Sequence, residues 1–346
     1  MRVLERLEEL YAIGGGPGAN RPHPSAAEDE AHELVAGWLE EAGRSVEIDP
    51  DGNLFGHVQG SDPGSVPGTC PVWVGSHLDT VPTGGKFDGA LGVVAAIEAV
   101  EQTGIGSVLA FRGEEVGCVG SRALVARGGA LPRAFLELHV EQGPALAQRG
   151  LPLGVVTGIV GYARAELVVE GRAGHAGTTP MEGRDDALVA AAGEILRVRD
   201  AALAVEGGVA TVGQLRVEPG GANVIPDRVT LSLDVRAPDA GRLDGLIAAI
   251  GFEPANRVEP VQLGSGARAA FRSALEEYGV NVIELPSGAG HDAGILASAG
   301  VDAGMLFVRG LNGGVSHSPD ELSSPEDIAL AVEVLAGALR RVATSR

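Results

Sequence analysis

The chain has 346 residues, 45% of them apolar and 21% charged, with 53 glycines and only 3% aromatic residues. That length suggests about two domains, and the composition is globular rather than disordered. Twenty-six basic residues against 46 acidic ones leave a net charge of −20, which argues against binding nucleic acid or an anionic membrane surface, since both need clustered Lys and Arg.

The opening MRVLERLEELYAIGG predicts an amphipathic helix that ends at Gly14-Gly15-Gly16, and it lacks the apolar stretch of a signal peptide. No apolar run reaches the roughly 18 residues of a membrane span. Cys70 and Cys118 form no metal or redox motif, so a cytoplasmic protein with reduced thiols is expected. A second helix is predicted from Ala27 to Ala42, with Ala31, Leu34, Val35, Trp38 and Leu39 at three-to-four spacing. Gly60 to Thr69 reads as a Ser/Pro/Gly loop.

Short apolar runs follow, each ending in polar residues. Pro71–Gly75 leads into Ser76-His77, Ser107–Phe111 into Glu114-Glu115, and Ala134–Leu138 into His139, with a helix predicted from Gly89 to Val100. Buried strands alternating with helices predict an α/β fold, a mostly parallel mixed sheet with helices on both faces. Ligands sit at the carboxyl ends of such strands. Near Thr157 the pattern changes. Ala163–Glu170, Ala210–Val217 and Arg228–Val235 alternate with period two, and one helix, about Asp185 to Val198, lies among them; this predicts a small α+β sandwich. Helix–strand alternation returns from about Ala267 and ends in a helix from Pro325 to Val342. The expected organisation is one α/β domain, residues 1–157 and 267–346, with residues 158–266 inserted as a second domain.

A single histidine in such settings is usually structural, so the chemistry rests on the set. In GSHLDTVPTGGKFDG, Asp79 stands two residues after His77, where it can hold the far ring nitrogen. Asp88 begins a helix, where capping is the alternative role. Glu114-Glu115 read either as part of a solvated loop or as one carboxylate for a metal and one as a general base. LELHVEQG and VSHSPDE add His139 and His317. Three His and two carboxylates suffice for two divalent ions sharing a carboxylate. Asn223 also reads as a turn residue, Arg236 as a partner of Asp234 or Asp239, and His175 as a loop histidine. His23, His32 and His57 read as surface or structural, and His291 as a neighbour of a helix cap.

These motifs, with GHAGTTPMEGRDDAL, GGANVIPD, DVRAPD and SGAGHDA, resemble the dinuclear metallo-amidohydrolases related to aminoacylases and carboxypeptidase G. Within them they resemble the branch of N-carbamoyl-L-amino-acid hydrolase, allantoate amidohydrolase and β-ureidopropionase. The resemblance runs from about residue 50 to residue 335 and implies a di-zinc aminopeptidase-like catalytic domain with an inserted dimerisation and lid domain. It implies two divalent ions per subunit, Zn or Mn, with Co or Ni as alternatives. His77, Asp88, Glu115, His139 and His317 would be the ligands, with Asp88 bridging. Glu114 would be the base, and His175 would act across a homodimer on the scissile carbonyl. Gln142, Asn223, Arg236, Gly288 and Ala289 would hold a small carboxylate-bearing substrate. The implied reaction is hydrolysis of a linear amide or ureido C–N bond. A deacylase or dipeptidase of the same superfamily is the second reading, and a non-catalytic dimeric binding protein the third. The resemblance departs in the segment of 24 positions from Glu115 to His139 and after Arg236, both of which look short for that branch.

Overall fold

A computed structural model of the chain describes residues 2–58 and 72–345. The loop expected from Gly60 to Thr69 and Cys70 lie outside the described residues. The chain divides into two compact units, Met1–Gly158 with Gln262–Arg346, and Ile159–Val261.

The first unit opens with α1 (Arg2–Ala12), α2 (Ala26–Glu41), β1 (Arg44–Ile48), β2 (Leu54–Val58), β3 (Val72–His77), α3 (Ala90–Thr103), β4 (Ser107–Phe111), α4 (Val119–Ala126), β5 (Ala134–Val140), α5 (Ala145–Arg149) and β6 (Leu153–Ile159). The second unit follows with β7 (Gly161–Glu170), β8 (Gly174–His175), α6 (Ala187–Leu203), β9 (Val209–Glu218), β10 (Val224–Ile225), β11 (Arg228–Ala237), α7 (Ala240–Ile250) and β12 (Asn256–Val258). The first then resumes with β13 (Val261–Gln262), α8 (Ser265–Glu277), β14 (Glu284–Ser287), α9 (Asp292–Ser298), β15 (Asp302–Val308) and α10 (Pro325–Thr344).

The sheet of the first unit has the order β1-β2-β4-β3-β5-β15-β6-β13, with β14 beside β6. Its centre, β4-β3-β5-β15, is parallel, and β2 and β6 flank it antiparallel. Every residue of β3 and β5 is buried, as expected for strands covered on both faces. α3, ALGVVAAIEAVEQT, is apolar around most of its circumference, which suits a helix enclosed by the core. Its N-terminus therefore lies in the interior, at the carboxyl end of β3. The β1–β2 hairpin has no counterpart among the sequence expectations; its signal is the Asp49-Pro50-Asp51-Gly52-Asn53 turn, where the Asp49 carboxylate accepts the Asp51 and Asn53 N–H groups.

The second unit is an antiparallel sheet ordered β12-β7-β11-β9 with helices packed on one face. The expectation of one helix is corrected to two, α6 and α7. α7 starts at the side chain of Asp239, which accepts the Arg242 N–H at 2.9 Å, and buries Leu243, Leu246 and Ile250. Gly241 and Gly245 dilute its helical signal, because glycine is a poor helix former. Among the described residues no helix is long and apolar enough to cross a membrane.

Candidate active site

The carboxyl ends of the parallel strands bring His77, Asp88, Glu114, Glu115, His139, Gln142 and His317 together in the first unit. Asp79 organises three of these groups. Its Oδ1 lies 3.3 Å from His77 Nδ1, and its two oxygens accept the backbone N–H groups of Glu114 at 3.0 Å and Glu115 at 3.1 Å. The loop after β4 is thus fastened to the end of β3 through one buried carboxylate. Burial is the largest single influence and works against ionisation of Asp79, but His77 and the N–H groups of Glu114 and Glu115 together hold the carboxyl below the usual range.

Asp88 does not act as a helix cap. Its Oδ1 faces His77 Nε2 at 3.6 Å and His139 Nε2 at 3.2 Å, and its Oδ2 faces His317 Nε2 at 3.4 Å. Gln142 donates to the same Oδ2 at 2.9 Å. His317 Nε2 lies 3.3 Å from Glu115 Oε2. Two groups result around Asp88, His77–Asp88–His139 and Asp88–Glu115–His317, with a third, Glu137–His139–His291, beside them, and within each the potential ligand atoms lie within 4.8 Å of one another. Asp88 belongs to the first two.

Two glycines make room for this arrangement. Gly89 has φ +63°, and a Cβ there would lie 2.5 Å from the His77 ring. At Gly85 a Cβ would lie 2.2 Å from the carboxyl carbon of Glu321. Glu321 needs that space, because its Oε1 accepts the Phe87 N–H at 2.6 Å and the Asp88 N–H at 3.0 Å, while its Oε2 accepts from Ser316 at 2.9 Å. It holds the backbone that carries Asp88.

The donor chemistry fits divalent cations. His77 Nδ1 lies 3.0 Å from the Asp79 carbonyl oxygen, and His139 Nδ1 2.9 Å from that of Val140. A carbonyl only accepts, so Nδ1 carries the proton in both rings and the neutral rings present a lone pair at Nε2. Both Nε2 atoms are buried without a hydrogen-bond partner, as is Glu115 Oε1. A lone pair facing a carboxylate repels it, so positive charge is needed between them, from a proton or a metal ion. The titration behaviour of these groups reflects the same need. Burial is the largest single influence and disfavours the charged His139 ring, yet the neighbouring Asp88 and the charge of Glu137 together raise it to about 9. Bonds to Asp88 and Glu115 raise His317 to about 10.

Glu114 is placed with one oxygen 3.8 Å from His77 Nε2 and the other 3.7 Å from His291 Nδ1. Burial pushes its carboxyl well above the usual range, against the pull of His77. His291, read from sequence as a cap neighbour, is buried in this cluster; its ring centroid is 4.4 Å from that of His139. No spacing rule marks it, because its partners come from β4 and β5. Glu137 lies beside His139, but Ser76 and the Ala293 N–H already occupy its two oxygens. Ala289 donates its N–H to Ser287 Oγ at 3.1 Å, in the same loop as Gly288.

The second unit carries His175, Asn223 and Arg236. His175 is exposed at the end of β8, where its Nδ1 accepts the Gly177 N–H at 3.0 Å. The exposed Asn223 accepts the Ala176 N–H at its backbone carbonyl. Arg236 is held through Nε and Nη2 by Asp234, one of the two partners considered for it from sequence.

Residues 73–341 match peptidase family M20/M25/M40. The chain belongs to that family. It is 37% identical to the N-carbamoyl-L-amino acid amidohydrolase of Geobacillus stearothermophilus, over 96% of each chain. It is 30% identical to allantoate deiminase 1 of Glycine max, over 94% of this chain and 86% of that one. Among solved structures, an amidase of the hydantoinase/carbamoylase family from Burkholderia multivorans superposes with a TM-score of 0.87 at 30% identity, covering 99% of this chain and 98% of the other. The alignment with the Geobacillus protein runs over 399 positions, more than this chain contains, so that relative has residues with no counterpart here.

The M20 family is metal-dependent, and this member has the His, Asp and Glu groups to match. Two substitutions test how the M20 site is held. Asp79→Asn exchanges an acceptor-only group for one with a donor face, so it cannot accept from His77 and both backbone N–H groups. Metal affinity and activity are expected to fall about 10–100-fold, read by metal titration and turnover. Gly89→Ala puts a methyl group against the His77 ring at a positive φ. It is expected to cost about 1–3 kcal/mol of stability, read by denaturant unfolding, and to weaken metal binding.

Proposed function

We propose that this M20 member hydrolyses the ureido C–N bond of an N-carbamoyl-L-amino acid or an allantoate-like ureido acid. The observation that carries the reading is Asp88, with one oxygen toward His77 and His139 and the other toward His317, itself a neighbour of Glu115, with Glu114 beside them. His77, Asp88 and His139 would hold one divalent cation, and Asp88, Glu115 and His317 a second. Nitrogen and carboxylate donors suit Zn or Mn, with Co or Ni as alternatives. Bound there, the cations supply Lewis acidity toward the carbonyl and acidify water.

The remaining work falls to side chains of the protein. Glu114 takes the proton of the attacking water and passes it to the leaving nitrogen. One water is consumed, and a carbamoyl amino acid yields the free amino acid, carbon dioxide and ammonia. Arg236, oriented by Asp234, binds the substrate carboxylate, because its planar fork matches that group. Asn223, Gln142, Gly288 and Ala289 complete the substrate contacts. The partner subunit's His175 donates to the carbonyl oxygen as negative charge develops.

The second unit serves as the dimerisation and lid domain. Supporting a self-association role, α6 exposes Leu188, Val189, Leu196 and Leu203, and the edge strand β9 exposes Val209 and Leu215. Unpaired edges and apolar faces of this kind mark contact surfaces. Light scattering tests the dimer directly.

The deciding experiment is ammonia release from metal-reconstituted protein, offered N-carbamoyl-L-amino acids, N-carbamoyl-β-alanine and allantoate, with N-acetyl amino acids and dipeptides in parallel. Metal-dependent ammonia supports the reading and ranks the substrates. Free amine without ammonia moves the protein to a deacylase or peptidase role.

A further inference from the structure

His291 is enclosed, and nothing in the reaction above uses it. Its ring is wedged between His139, with centroids 4.4 Å apart, and Phe307, at 6.2 Å. On one side Nε2 lies 2.9 Å from Ser287 Oγ. On the other, Nδ1 is buried without a hydrogen-bond partner and faces Glu114 Oε1 at 3.7 Å. The second oxygen of Glu114 points elsewhere, toward His77 Nε2.

We propose that His291 is a positioning residue for Glu114, its Nδ1–H holding Oε1 so that Oε2 is the oxygen that carries the proton. The inference rests on Glu114 being the general base. Glu114 selects the tautomer and Ser287 accommodates it. The Ser287 oxygen accepts the Ala289 N–H at 3.1 Å, and its hydroxyl hydrogen goes either to His291 Nε2 or to the Ala289 carbonyl at 3.0 Å. Donation to Nε2 leaves the ring proton on Nδ1, facing a carboxylate. The opposite tautomer would set a buried lone pair against that carboxylate, which costs far more where water is excluded. A shortening of about 0.8 Å converts the contact into a hydrogen bond, and catalytic contacts commonly tighten by such amounts when substrate binds. A base that must accept and then return one proton gains from this arrangement. With Oε1 fixed, the carboxylate keeps its orientation whether ionised or protonated, and only Oε2 changes state.

The test uses two variants and two readouts. His291→Phe keeps a ring for packing and removes the donor; His291→Asn keeps an N–H near the position of Nδ1. In metal-reconstituted protein, His291→Phe is expected to lower kcat for ammonia release about 10–100-fold, with KM and metal content unchanged, and His291→Asn to recover much of the loss. Nitrogen-15 histidine spectra of the metal-free protein are expected to show His291 in the Nδ1–H form. An unchanged kcat in His291→Phe, equal losses in both variants, loss of metal, or an Nε2–H ring in the wild type would overturn the proposal. If the wild type releases no ammonia, the functional reading fails, and the tautomer in the metal-free protein still decides the role of His291. If His291→Phe does not fold, the asparagine variant and the spectra decide it.

Discussion

Glu114→Gln is expected to lower kcat by about 10²–10⁴-fold, the range that positioned general bases contribute, while metal content stays at the wild-type level. The exchange keeps the side chain's size and an oxygen but removes the proton acceptor. The backbone anchor is untouched, because the N–H of Glu114 donates to Asp79 Oδ1 whatever the side chain is. None of the three groups of potential ligands contains Glu114, so metal analysis separates its role from that of Glu115. A variant that keeps its turnover would mean that another group takes the proton. A variant that loses metal would mean that Glu114 is a ligand. His77 is the neighbour that feels the change most, since the charge of Glu114 is the strongest influence raising its pKa.

The residue types at the ends of β3, β4 and β5 were legible from the sequence because each apolar run stops at a polar residue that a core strand would not tolerate. Their partnership was not. His77 and His139 share one oxygen of Asp88 because β3 and β5 are adjacent in the order β4-β3-β5-β15, and strand order is a property of packing that one sequence does not display. The same reason hides His291, which reaches Glu114 from the start of α9, and Glu321, whose bonds to Phe87 and Asp88 span more than 230 residues. Arg236 illustrates the opposite case. A fork at a strand end reads equally as a substrate clamp or an ion-pair partner. The structure displays its bond to Asp234, and a role toward substrate must then be one that Asp234 orients.

Removing the metals is expected to abolish turnover and to leave a protein whose stability falls as pH rises from about 7 to 10. The sign follows from the groups that crowd Asp88. His139 and His317, held at about 9 and about 10 when folded, stabilise the fold fully below their unfolded pKa; the contribution disappears as pH climbs through the folded values. Asp292, pushed up by burial and by the charge of Glu137 to about 8, and Glu321, pushed up by burial and by Asp88 to about 7, act with the same sign. A carboxyl held protonated in the fold costs stability as pH rises from the ordinary carboxyl range to its folded value, so Glu321 has acted by about pH 7 and Asp292 by about pH 8. Asp79 and Asp88, held low, lose their contribution only in acid. Bound cations replace the protons that His77, His139 and His317 would otherwise need, so the reloaded protein should show a flatter alkaline limb. One cation at about 100 times its Kd adds about 2.7 kcal/mol, equivalent to a Tm rise of roughly 4 °C for a chain of this size. Thermal unfolding across pH 6–10, stripped against reloaded, reads both effects. Parallel curves for the two states would show that the histidines are not competing with metal for the same positions.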